Sequence, residues 1–314
     1  MRSVMTFVVL TLATWAAPTW SQSGTAPGGA SPERVVPDSG NVQMPGWSAT
    51  YVTEGQGRPC IVLSLRNYHP RSFSGRFKGA LRCTFLDVRF SAPEATVDPG
   101  APYTVAAAVE DLEAARKALG LSRFVLVGHS IQGSMALAYA LRYPQHVTHV
   151  IAIGAVAEMS PAQAALTADY WERTASPERK ATHAAAQKAF AAAAPGLAPA
   201  GLAPAMIRAD AAKRWYDAEY DERLLLAGAT INLAVIEQLF GQPFTLFRGG
   251  AWVEPPALVA VGRQDFEAPP TSWDHAWDHF RDLTVALFER AGHTPQVEVT
   301  AAFDDVVLAW LRSH

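Results

Sequence analysis

The chain has 314 residues, of which 49% are hydrophobic, 18% charged and 10% aromatic, enough apolar material to build a sizeable core. This excludes a disordered tail and a mini-protein that depends on staples. With 26 basic residues against 29 acidic ones, a formal net charge of -3 and no run of like charges, nothing in the chain is suited to gripping nucleic acid.

The first segment reads as an address. Arg2 precedes an uncharged apolar run, Val4 to Ala17, that is too short to span a bilayer comfortably, and a polar stretch rich in Gly, Pro and Ser follows it. Residues 1–21 are therefore expected to be an export signal cleaved after Ser21, and residues 22–40 a polar lead-in. An uncleaved anchor is the alternative. No later apolar stretch has spanning length, so the expected mature protein is secreted or periplasmic and has no membrane span.

Short strands are expected at Val42 to Met44, Ser48 to Val52 and Cys60 to Leu65, the last introduced by the turn Gly55-Gln56-Gly57. Arg82 to Val88 and Arg123 to Gly128 are apolar runs bounded by turns, as buried parallel strands should be. Between them Val105, Ala108, Val109, Leu112, Ala115 and Leu119 recur at helical spacing, with Gly120 at the expected stop. Ser130 to Arg142 reads as a helix and His149 to Gly154 as a strand. From about Glu158 to Val253 the strands cease and Ala-rich helical patterns take over, with a mobile loop expected within Ala184 to Ala205. Strands resume at Ala257 to Gly262 and Leu283 to Glu289, and Ala302 to Arg312 forms a last helix. Such alternation predicts an α/β fold: a mainly parallel sheet flanked by helices, with an inserted helical lid over the strand ends, where such sheets bind ligands.

The most informative segment is Gly128-His129-Ser130-Ile131-Gln132-Gly133, which lies between a strand and a helix. A serine on so sharp a turn lifts its hydroxyl above the sheet, and the helix start offers backbone N–H groups to a developing oxyanion. A serine that merely caps the helix is the bland alternative. A nucleophilic serine needs a base and a carboxylate to orient that base. Asp265 follows the strand ending at Gly262, and His293 follows the last strand in Ala291-Gly292-His293-Thr294-Pro295. Glu267, Asp274 and Asp278 are rival carboxylates; His129, His275 and His279 are weaker candidates for the base.

The order Ser130, Asp265, His293 on successive strand ends resembles the α/β-hydrolase fold. The segments Tyr103 to Ser130, Val261 to Pro270 and Gly292 to Glu298 resemble its proline iminopeptidase-like branch. The likeness runs from about Asn41 to the C-terminus. It implies a core of residues 41–157 and 254–314, and a cap of residues 158–253. There are two departures. Gln132 stands where the G-x-S-x-G motif ends in Gly, and either packs under the helix or reaches the pocket. Ser64-Leu65-Arg66-Asn67-Tyr68-His69-Pro70 replaces the family's His-Gly-Gly-Pro-Gly loop. The resemblance implies an oxyanion hole formed by the Ile131 N–H and, from the altered loop, the Leu65 N–H with Arg66 next in line. Asp87-Val88-Arg89 resembles a segment that supports neighbouring loops.

The implied activity is cleavage of a carboxylic ester or amide of a small substrate through an acyl-enzyme. An esterase or lactonase without peptidase activity is the alternative, and a ligand-binding protein on a hydrolase scaffold is the alternative from another class. An aminopeptidase would need lid carboxylates for the substrate ammonium, with Asp217, Glu219, Asp221 and Glu222 as candidates. Trp171, Trp215, Tyr216, Tyr220, Phe247 and Trp252 either line a pocket or form the lid's own core. No motif implies a metal or a cofactor, and Cys60 and Cys83 on neighbouring parallel strands are expected as free thiols, with a disulfide the alternative in an exported protein.

Overall fold

The computed structural model describes residues 7–8, 36, 38–96, 100, 102–247 and 250–314. The expected export signal lies outside these residues, except for the backbone at Phe7–Val8. Eight strands form the main sheet: β1 (Ser39–Met44), β2 (Trp47–Glu54), β3 (Arg58–Ser64), β4 (Leu81–Asp87), β5 (Phe124–His129), β6 (Val147–Ile153), β7 (Ala257–Gly262) and β8 (Leu283–Phe288). Their spatial order is β1-β2-β4-β3-β5-β6-β7-β8, with Phe7–Val8 parallel against the outer edge of β8. β2 pairs antiparallel with both β1 and β4, and every later pairing is parallel.

The two kinds of strand follow from their sequences. β2 alternates buried and half-exposed residues, whereas β5 and β7 are buried throughout because helices cover both faces there. Alternate side chains supply separate cores: Ile61, Leu63 and Leu126 on one face, Val62, Val125 and Val127 on the other. Helices α1 (His69–Ser72) and α2 (Gly75–Ala80) join β3 to β4. Helix α3 (Val105–Leu119) begins where the Thr104 hydroxyl accepts the Ala107 N–H and ends at Gly120 in the left-handed region. Together with α4 (Ile131–Arg142) it covers the first face. Phe77 of α2 and Phe303, Val307 and Trp310 of α11 (Thr300–Ser313) cover the other. Cys60 and Cys83 are register partners and remain free, buried thiols.

Between β6 and β7 the chain forms the insert: α5 (Pro161–Thr174), α6 (Pro177–Ala193), α7 (Pro199–Ala209), α8 (Ala211–Arg214), α9 (Arg223–Leu226) and α10 (Leu233–Phe240). Two expectations change here. Ala184 to Ala205 is largely helical, divided between α6 and α7, because alanine is the strongest helix former and Pro199 occupies a helix-opening position that needs no N–H. The insert also contains strands, since Glu158–Met159 pairs antiparallel with Phe244–Thr245 at its base. From β3 the chain runs outward to β4 and then returns to β5 on the other side of β3, which makes the carboxyl ends of β3 and β5 a topological switch point.

Candidate active site

Ser130 is the single residue between β5 and α4. Its φ of 58° and ψ of -132° lie where non-glycine residues are strained, by about 1–3 kcal/mol. Its N–H donates to the Ile153 carbonyl at 2.7 Å, while its hydroxyl makes no helix-capping bond, so capping does not account for the residue. The turn closes only over small neighbours. A Cβ at Gly128 would lie 2.1 Å from the Gln132 carbonyl oxygen, and one at Gly133 would lie 2.7 Å from the Ala155 Cβ. The close approach therefore falls at positions 128 and 133. Position 132 is left free for a long side chain, and Gln132 is buried and lines the cavity above Ser130.

Asp265 and His293 come together from the loops after β7 and β8. His293 Nδ1 donates to Asp265 Oδ2 at 2.9 Å, and both side chains are buried. Asp265 Oδ1 accepts the N–H groups of Glu267 and Ala268 at 2.9 and 2.8 Å, which fixes the carboxylate plane. The His293 loop is held from three sides. The His293 N–H donates to the Arg214 carbonyl at 2.5 Å, and His129 Nε2 donates to the His293 carbonyl at 2.9 Å. Glu298 Oε1 accepts from Gly292 and Thr294. Asp274, His275 and Asp278 are exposed, and His279 stacks on Phe247 at 4.4 Å.

A second carboxylate also reaches the histidine. Glu267 Oε2 lies 3.3 Å from His293 Nε2, and the largely buried Arg214 guanidinium stands between Glu267 at 3.4 Å and Glu222 at 3.6 Å. Burial opposes charging of His293, but the Asp265 and Glu267 carboxylates outweigh it and hold its pKa above the ordinary value. Burial raises the pKa of Glu222. No sequence signal pointed to Arg214, whose role depends on how the insert folds back. Of the acidic lid cluster only Glu222 is buried, and Asp217, Glu219 and Asp221 face solvent.

The altered loop after β3 requires a correction. The Leu65 N–H, expected to point at the oxyanion, donates instead to His69 Nδ1 at 2.7 Å, because α1 starts immediately and turns the His69 ring back onto the loop. Asn67 adopts a left-handed φ of 65°, and its amide donates to the Gly228 carbonyl of the insert at 2.7 Å. Arg66 Nε donates to Asp87 Oδ2 at 2.6 Å, so the Asp87 segment supports this loop as expected, and burial lifts the Asp87 pKa to about 6. Ile131 follows Ser130 at the start of α4, where its N–H belongs to the first turn.

These groups surround one cavity of about 1150 Å3, roofed by the insert and lined by Ser130, His293 and His69 together with mainly apolar side chains. Met206, Ile207, Ile236, Phe240, Phe266 and Trp171 form much of that lining. Trp171 is the one pocket residue among the lid aromatics singled out in the sequence. Trp215 is fully buried and stacked on Tyr220 at 4.0 Å, and Tyr216 and Trp252 are exposed. Among the described residues no group of three or more His, Cys, Asp or Glu could hold a metal ion, and no helix is long and apolar enough to cross a membrane.

Residues 48–299 match the family model described as alpha/beta hydrolase fold. The chain belongs to the α/β-hydrolase family. This family member is 29% identical over 271 residues to the AB hydrolase superfamily protein YclE of Bacillus subtilis, covering 85% of this chain and 96% of that one. The proline iminopeptidase of Mycobacterium smegmatis superposes with a TM-score of 0.61 at 20% identity, covering 88% of this chain and 98% of that one. An epoxide hydrolase of Bacillus megaterium superposes with a TM-score of 0.62 at 17% identity, covering 87% and 100%. Likeness at that level establishes the fold and does not single out the iminopeptidase branch.

Proposed function

We propose that this α/β-hydrolase is a serine hydrolase acting on carboxylic esters with an apolar acyl or alcohol group. The observation that carries the reading is the His293–Asp265 hydrogen bond of 2.9 Å beside a serine on a strained elbow that lines the same cavity. Ser130 Oγ attacks the carbonyl carbon and His293 Nε2 takes its proton. Asp265 holds the imidazole in the Nδ1–H tautomer and stabilises the imidazolium. The Ile131 N–H receives the oxyanion. His293 then returns the proton to the leaving alcohol, and water releases the acid by the same steps in reverse.

Serine at the elbow favours acyl transfer over epoxide opening, which in this fold normally uses an aspartate nucleophile. The acidic cluster offers little to an N-terminal ammonium. Glu222, its one buried member, already faces Arg214, and the apolar lining suits an uncharged group. A panel of p-nitrophenyl esters run beside a prolyl arylamide tests this reading. We expect the esters to be preferred by at least about tenfold in kcat/KM, and Ser130→Ala to abolish turnover. Faster turnover of the arylamide would restore the aminopeptidase reading. We also propose that the protein is exported on the strength of the apolar run Val4 to Ala17. Gln22 as the N-terminal residue of exported protein is the expected outcome, and an intact Met1 start would contradict cleavage after Ser21.

A further inference from the structure

The loop after β3 removes one expected oxyanion donor and sets the His69 ring beside it. Because the Leu65 N–H donates to His69 Nδ1, that nitrogen is the acceptor and the ring carries its proton on Nε2. His69 is 2% exposed, and its Nε2 has no hydrogen-bond partner among the described residues. A buried donor without a partner is costly, so it calls for a ligand that completes it. His69 lines the same cavity as Ser130 and Ile131, and its ring packs against Tyr68 and His129 with centroids 5.1 and 5.7 Å away.

We propose that His69 Nε2–H, in place of a backbone N–H of its loop, is the second donor to the substrate's carbonyl oxygen. The inference rests on the serine-hydrolase reading of the same site. As the Ser130 Oγ–C bond forms, the carbonyl π pair moves onto oxygen, where the Ile131 N–H and the His69 Nε2–H receive it. The Oγ proton goes to His293 and none leaves His69. On collapse the carbonyl re-forms, and the leaving alcohol departs with the proton from His293.

The ring suits this role because it stays neutral: burial lowers its pKa to about 3, so it adds no titrating limb at working pH. It is also held in place before substrate arrives. Asn67 is tied to Gly228, Arg66 to Asp87, and the Ser72 hydroxyl donates to the His69 carbonyl at 3.0 Å. Such preorganisation is what makes an oxyanion donor effective.

The test compares His69→Phe, which fills the space without a donor, and His69→Gln, whose carboxamide N–H can partly replace it, using p-nitrophenyl butyrate and a trifluoromethyl ketone inhibitor. His69→Phe should lower kcat by about a hundredfold to a thousandfold with KM within about threefold, and should weaken the ketone by a similar factor. His69→Gln should recover part of both. Ser130→Ala measured alongside separates the two claims, since turnover that survives it sinks the hydrolase reading itself. With Ser130→Ala inactive, undiminished kcat in His69→Phe overturns the His69 assignment alone. So does a loss of kcat without a matching loss of ketone affinity, which is the mark of a merely structural residue. Should His69→Phe fail to fold, His69→Gln and His69→Ala decide by the same two readouts.

Discussion

At the scale of single residues the site is a set of contacts that determine which nitrogen carries which proton. Asp265 orders one face of His293, and Glu267 approaches the other at 3.3 Å, where the Ser130 proton arrives in the proposed mechanism. A base flanked by two carboxylates is harder to deprotonate, so kcat/KM should rise with pH along a limb lying above the ordinary histidine value near 6.5. Glu267→Gln removes one negative charge and should move that limb to lower pH, raising activity on its acid side. Arg214→Gln removes the opposing positive charge and should move the limb the other way. A limb left in place by Glu267→Gln, read from the pH profile of kcat/KM, would show that the 3.3 Å contact does not govern the base. The sequence singled out Ser130, Asp265 and His293 because each follows its own apolar strand, and the structure bonds His293 to Asp265 and lines one cavity with His293 and Ser130. Arg214 was not, because its neighbours Glu222 and Glu267 meet it only when the insert folds back over the core.

Among the elements, the sharpest demand falls on the turn from β5 to α4. Gly128 packs so closely under the helix that the added methyl of Gly128→Ala meets the Gln132 carbonyl oxygen at 2.1 Å, a rigid backbone atom. Thermal or denaturant unfolding should show a loss of at least about 2 kcal/mol, and an unchanged midpoint would mean that the elbow relaxes at little cost. The strands were readable to within one to three residues because buried parallel strands are continuous apolar runs, as β5 and β7 show. The insert was less readable. Its Ala- and Pro-rich stretch, Ala184 to Ala205, was expected to include a mobile loop, yet most of it lies in α6 and α7, with Pro199 opening α7 and Pro204 inside it. The loop after β3 was recognised as altered. Its consequence, the capture of the Leu65 N–H by His69, depends on a ring orientation that sequence spacing does not specify.

For the whole molecule, the core places Ser130, His293 and Asp265 at one end of the sheet, and the insert roofs a mainly apolar cavity there. Arg214, Asn67 and the His293 loop join the two parts: the Arg214 carbonyl receives the His293 N–H, and the Asn67 amide reaches Gly228. On the proposed hydrolase reading, substrate choice belongs to the insert and bond cleavage to the core. The central claim is that Ser130 becomes acylated. Peptide mapping by mass spectrometry after exposure of the folded protein to a fluorophosphonate tests it most directly. The account predicts a single adduct on Ser130, absent in Ser130→Ala and strongly slowed in His293→Ala. A folded protein that takes no label at Ser130, or takes it on another residue while ester turnover continues, would contradict it.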